Sequence, residues 1–180
     1  AMLIALLLLS CADAIRGLYL PLVVSGKFGD PRYASYLWSA QAVFELLFMT
    51  AAGYWAAKYG SKRLILYAAI GAFVTYIVYA QTDSLAVYFT MQPVYSFFVS
   101  VLLGVAMGYV QRMFIHRAGF GASLYVFITQ TASLVGYMLP LVVPGISADI
   151  FYIPAGLVLI SVAIQCVVLL RERTVGYNRG

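Results

Sequence analysis

The sequence predicts an all-α membrane protein of six transmembrane helices, and three observations carry that reading. Of its 180 residues, 64% are hydrophobic and only 9% charged, with a mean hydropathy of +0.94. Soluble domains are about half apolar and about a quarter charged. Apolar runs long enough to cross about 30 Å of hydrocarbon recur along the whole chain. Lysine and arginine collect in alternate gaps between those runs, as in polytopic membrane proteins.

The six spans fall at residues 2–24, 34–57, 62–80, 84–110, 120–142 and 150–170. Each is continuously apolar and far longer than a barrel strand, so helices are expected. One such run at the N-terminus could be a signal peptide, but six in succession cannot. The gaps carry the expected breakers: Gly26, Gly29 and Pro31, then Gly60, then Gly119, then Pro144 and Gly145. All gaps are short, which predicts that consecutive helices are antiparallel neighbours. Ala1 in place of an initiator methionine leads us to expect that the sequence starts partway through a longer protein.

Orientation follows from charge. One side receives Lys58, Lys62, Arg63, Arg112, Arg117, Arg171, Arg173 and Arg179, while the other receives only Lys27 and Arg32 beside Asp30, Asp83 and Asp149. This bias puts the even-numbered loops and the C-terminus in the cytoplasm.

Several function classes drop out early. The formal charge of +5 lies in interhelical gaps and forms no basic stripe, which argues against nucleic acid. Cys11 and Cys166 sit inside apolar segments and read as small hydrophobes, and the single histidine, His116, excludes a multi-histidine metal cluster. No catalytic constellation emerges, since Ser10 and Asp13 have no histidine nearby. Neither an enzyme nor a bound cofactor is expected.

The informative residues are those that do not belong in lipid. Asp13 and Arg16, three apart in the first span, share a helix face and are expected to pair. They could line a polar cavity, or Arg16 could snorkel outward with Asp13 neutralising it. Pro21 removes the donor to the Gly17 carbonyl and predicts a bend. Glu45 stands at the centre of the second span with no basic neighbour in sequence, and Gln41 and Trp38 precede it on the same side. A lone mid-membrane carboxylate is costly unless protonated or paired, which makes Glu45 the candidate proton site; the alternative is a structural hydrogen bond between helices. Gln92, Ser96 and Ser100 repeat at four-residue spacing, as do Thr129, Ser133 and Tyr137. Such faces either line a water-filled path or pack helix on helix. Gly104 and Gly108 form a small-xxx-small pair and predict a close neighbour. Of the 15 tyrosines, Tyr33, Tyr36, Tyr59, Tyr88 and Tyr152 fit an interfacial belt. Tyr19, Tyr67, Tyr76, Tyr95, Tyr109, Tyr125 and Tyr137 lie deeper, where a hydroxyl needs a partner.

The gap after the second span reads Gly53-Tyr54-Trp55-Ala56-Ala57-Lys58-Tyr59-Gly60-Ser61-Lys62-Arg63. It resembles the second-half copy of the loop signature of the major facilitator superfamily, with Ala57 where an Asp is common. Residues 18–22 around Pro21, residues 42–45, Ala52-Gly53-Tyr54, Gly108-Tyr109-Val110-Gln111 and Gly121-Ala122-Ser123-Leu124-Tyr125 are similar to the C-terminal half of bacterial sugar efflux transporters. The chain departs from them in carrying Asp13 in place of Asn, and Arg112 after Gln111 where an acid is expected.

The resemblance implies helices seven to twelve of a twelve-helix transporter in the bacterial inner membrane. It implies alternating access and proton-coupled efflux of a small polar solute such as a sugar or glycoside. Glu45 would respond to protons, Asp13 and Arg16 would form a binding or gating pair, and Trp38, Gln41, Gln92, Tyr125 and Thr129 would contact solute. Gly53, Lys58, Gly60, Lys62 and Arg63 would form the cytoplasmic loop signature. The partners implied are protons, the lipid bilayer and the missing N-terminal half or a second copy. Rival expectations are export of an amphiphilic drug, a non-transporting membrane subunit, or a small channel.

Overall fold

In a computed structural model the chain is described over residues 1–138 and 147–177, with Arg173 and residues 175–177 described in backbone only. Val142, Pro144, Gly145 and Arg179, and the side chain of Arg173, lie outside the described residues. Every element among the described residues is helical.

Helix α1 (Met2–Phe28) continues unbroken past Pro21 and Gly26, ending at Gly29, whose φ of 74° is one that glycine alone adopts freely. Its N–H bonds the Ser25 carbonyl at 3.0 Å, closing the helix. Helix α2 (Arg32–Tyr59) stops in the same way at Gly60, with φ of 88° and a 3.0 Å bond to the Ala56 carbonyl. Helix α3 (Ser61–Gln81) follows immediately.

The fourth span is broken into α4 (Leu85–Thr90), α5 (Gln92–Ser100), a π-helical segment (Val101–Ala106) and α6 (Met107–Met113). Pro93 explains the first break, because it lacks an N–H and its ring collides with the preceding turn. A short 3₁₀ turn leads into α7 (Ala118–Met138), which already contains Gly119. A second such turn, Ala148–Phe151, leads into α8 (Tyr152–Tyr177).

Five of these helical stretches are long and apolar enough to cross a membrane: Met2–Phe28, Ser61–Gln81, Leu85–Met113, Ile115–Met138 and Ala148–Glu172. Helix α2 has the length, at 28 residues, but carries Gln41 and Glu45 in its middle. It completes the six-helix bundle by lying along α5 and the π segment.

The packing order corrects one expectation. Consecutive spans do touch at α1–α2, α2–α3, α3–α5 and α6–α7, but among the described residues α8 packs on α1 and α3 rather than on α7. Its buried side carries Ala155, Val158, Ser161 and Gln165, and the Ser161 hydroxyl bonds the Ala5 carbonyl of α1 at 2.9 Å. Small residues set the closest approaches elsewhere. A Cβ on Gly121 would stand 2.9 Å from the Gln111 backbone, and one on Gly136 would stand 3.0 Å from the Ala14 side chain. Gly104 and Gly108 do not behave this way: a Cβ on either would meet no neighbouring element within 4 Å. They face a cavity of about 500 Å³ shared with Met49, Gly53 and Ala57 of α2.

Candidate transport site

Arg16 is the centre of the polar interior. Helix α1 places it among α2, α3 and α5, and its side chain is 1% exposed. One terminal nitrogen donates to Gln41 Oε1, and the other donates to Gln92 Oε1 at 3.3 Å. The guanidinium carbon sits 4.0 Å from the centroid of the Tyr95 ring and 5.1 Å from that of Trp38. Ring faces attract a desolvated cation by about 2 kcal/mol, and hydrogen bonds to a charged group contribute about 1.5–3 kcal/mol each. Arg16 is therefore held by amides and aromatic faces, although its Nε has no partner.

The expected Asp13–Arg16 ion pair is absent; the ion pairs among the described residues are Lys27–Asp83 and Lys62–Glu172. Asp13 instead accepts a 2.5 Å hydrogen bond from the Tyr95 hydroxyl. The Tyr76 hydroxyl lies 3.2 Å from that of Tyr95. Tyr95 has a single proton and spends it on Asp13, so Tyr76 is the donor of that second bond. Three residues on α1 set the two side chains on one face, but Tyr95 of α5 has entered between them.

Glu45 reaches the same cation by a second route. Arg16 can only donate, so the Gln41 oxygen must face it, and the Gln41 amide nitrogen is left to donate to Glu45 Oε1. Glu45 is half-buried. Two neutral side chains thus stand between one guanidinium and two carboxylates.

Gln92 is buried and fully used: besides accepting from Arg16, its amide nitrogen donates to the Tyr79 hydroxyl at 3.0 Å and to the Tyr88 carbonyl at 3.2 Å. Tyr88 is no interfacial residue. It is buried, stacks on Tyr79 at 4.6 Å, and donates to the Tyr79 carbonyl at 2.9 Å.

The serine face of α5 staples helices together. Ser96 donates to the Gln41 carbonyl at 3.1 Å and Ser100 to the Glu45 carbonyl at 3.2 Å, fixing the two α2 residues that answer Arg16.

Other sequence-predicted residues lie apart from this cluster. Tyr125 of α7 is buried and donates to the Leu102 carbonyl inside the π segment. Thr129 bonds only the Val126 carbonyl of its own helix, at 2.9 Å, and Ser133 bonds the Thr129 carbonyl at 3.0 Å. Tyr67 and Tyr137 are exposed rather than turned inward. Trp38, at 41% exposed, offers the rest of its indole to the outside of the bundle.

At the lysine- and arginine-rich end, Gly60 makes the turn between α2 and α3, and Lys62 pairs with Glu172 of α8. Arg112 donates to Ser61 at 2.6 Å, Lys58 lies 5.3 Å from the Tyr59 ring, and Gly53 and Arg63 are exposed. Sequence reasoning did not single out Tyr79 or Glu172. Their partners are 13 and 110 residues away, separations that no local pattern reveals.

Helices long and apolar enough to cross a membrane, closed around a charged hydrogen-bonded cluster, make this a multi-pass membrane protein with the build of a transporter. The comparison with known proteins points the same way. Over 107 residues the chain is 27% identical to the protein named sugar efflux transporter A of Escherichia coli (strain K12), a stretch covering 59% of this chain and 27% of that protein. No protein-family model matches the chain.

Proposed function

We propose that the chain is the C-terminal six-helix half of a major facilitator superfamily transporter that exports sugars or glycosides in exchange for protons. The observation that carries this reading is the compensation of buried Arg16 by two carboxylates, each through a neutral intermediary: Glu45 through Gln41, and Asp13 through Tyr95. One cation and two carboxylates leave a net negative charge that a single proton cancels. The membrane interior favours the neutral state. Loading and unloading that proton would then bias two arrangements of the bundle, with solute bound near the midplane between two six-helix halves.

Trp38, Gln41 and Glu45 lie along one side of α2, with the indole free to stack on the C–H face of a sugar ring and Glu45 within reach of its hydroxyls. Gln92 acts by positioning Arg16. Tyr125 and Thr129, on α7, would meet solute only from a second wall of the path. Gly53 and Lys58 at the end of α2, the Gly60 turn, and Lys62 and Arg63 at the start of α3 would form the signature on the cytoplasmic side, with the C-terminus on that same side of the bacterial inner membrane. The facing half is a missing N-terminal bundle or a second copy. The role is transport rather than catalysis, with no cofactor.

A second reading, export of an amphiphilic cation, is favoured by the aromatic ladder flanking Glu45. There Phe44 and Phe48 lie 6.5 Å apart, Phe48 and Phe97 5.7 Å, and Trp55 and Phe97 5.8 Å. Radiolabelled sugar flux in proteoliposomes of the full-length protein under an imposed pH gradient separates these readings. Uphill flux in the wild type that is lost in Glu45→Gln, while sugar exchange survives, supports proton coupling through Glu45. If only a lipophilic cation moves, the second reading holds. Full uphill flux in the variant would make Glu45 structural and Asp13 the proton site.

A further inference from the structure

Apart from the Arg16 cluster, an open groove of about 790 Å³ lies on the outside of the bundle, between the start of α3 and the end of α8. Its chemistry changes along its length. At the lysine- and arginine-rich end it is lined by Lys62, Arg63 and Glu172, with Tyr59 and Tyr109 at the rim. One turn deeper the walls become Leu66 and Tyr67 on α3, and Cys166, Leu169 and Leu170 on α8. Beyond the groove the apolar surface continues. Tyr67, Ile70 and Val74 form an exposed stripe on α3 directly below Arg63, and Val167 and Ile160 do the same on α8 below Leu170. Spacings of three and four residues on α3, and of three and seven on α8, keep each stripe on one helix face.

The charge at the head of the groove is unbalanced. Lys62 is engaged by Glu172, but Arg63 is exposed and makes no side-chain hydrogen bond or ion pair among the described residues. Two cations and one carboxylate therefore leave a net positive mouth over an apolar channel that runs toward the membrane centre. An amphiphile with an anionic head and acyl tails matches this order of surfaces. Basic pockets between helices, at the side where anionic headgroups lie, are the sites such lipids take. A zwitterionic lipid brings its own cation and gains less.

We propose that this groove binds one anionic phospholipid, its phosphate held by Arg63 and Lys62 and its acyl chains lying along Tyr67, Ile70 and Val74. Glu172 then competes with the lipid phosphate for Lys62. The inference is independent of what the protein transports.

Competition makes the test two-sided. The full-length protein is reconstituted with trace spin-labelled phosphatidylglycerol or phosphatidylcholine of identical chains, and the motionally restricted fraction gives their relative association. The wild type is expected to prefer phosphatidylglycerol, by about fivefold for each cation that meets the headgroup. Lys62→Gln/Arg63→Gln should bring the preference close to one, and Glu172→Gln should raise it above wild type. Lys58→Gln/Arg117→Gln removes the same charge from the same end outside the groove and should leave the preference intact. Equal association of the two lipids in wild type, or equal losses in the two double variants, would overturn the proposal. A loss of preference in Glu172→Gln would also overturn it, and that variant needs no groove cation to be removed.

Discussion

Two regions of this molecule carry charge in opposite ways. At the helix ends, cations meet carboxylates directly: Lys27 lies 2.6 Å from Asp83, and Lys62 pairs with Glu172. In the sealed interior, where an uncompensated charge costs most, Arg16 meets no carboxylate and is held by two amides and two aromatic rings. Exposed ion pairs contribute only about 0–1 kcal/mol, because water and salt already solvate both partners. A buried pair gains more by Coulomb attraction but pays a desolvation cost that can exceed the gain. Spreading the compensation over Gln41, Gln92, Tyr95 and Trp38 lets Arg16 stay charged while Asp13 and Glu45 remain one bond away, each with lone pairs left for a proton.

That contrast can be broken in a graded way. Arg16→Leu should have the largest effect. It strands the oxygens of Gln41 and Gln92 and removes the cation that Asp13 and Glu45 both answer, costing about 3–5 kcal/mol in a detergent unfolding titration. Tyr95→Phe keeps the ring under the guanidinium but deletes the donor to Asp13, and should cost about 1.5–3 kcal/mol by the same titration. Gly121→Ala pushes a methyl into the Gln111 backbone and should cost about 1–3 kcal/mol, whereas Gly104→Ala, with open space before it, should leave the melting temperature nearly unchanged. Lys62→Gln should be the smallest, about 0–1 kcal/mol, with its effect fading as salt rises. A larger loss from Lys62→Gln than from Tyr95→Phe would reverse the comparison.

The sequence made some of this legible and hid the rest. The number of helices was readable because five of the stretches are long apolar runs, a signal that needs no partner, and α2 has the same length. Glu45, Gln41, Arg16 and Asp13 were readable as anomalies within those runs. Their connections were not. Spacing on α1 suggested that Asp13 pairs with Arg16, but a face shared by two residues is open to any third, and Tyr95, 82 positions away from Asp13, occupies it. Gly104 and Gly108 illustrate the converse, since a small-residue pair permits close approach without supplying the helix that approaches. The role of Gly121 and Gly136 depends on how α7 is seated against α6 and α1, and single helix patterns carry no record of that. The break in the fourth span follows from Pro93, whereas its π segment coincides with a tertiary contact, the Tyr125 bond to the Leu102 carbonyl, that no local pattern announces.

The most direct test is a double-mutant cycle on stability with Arg16→Gln and Glu45→Gln, repeated in a Gln41→Leu background. If Glu45 answers Arg16 through the amide of Gln41, the two substitutions will be coupled by about 1 kcal/mol or more, and the coupling will vanish once Gln41 is gone. Additivity within about 0.5 kcal/mol in the wild-type background would contradict the account.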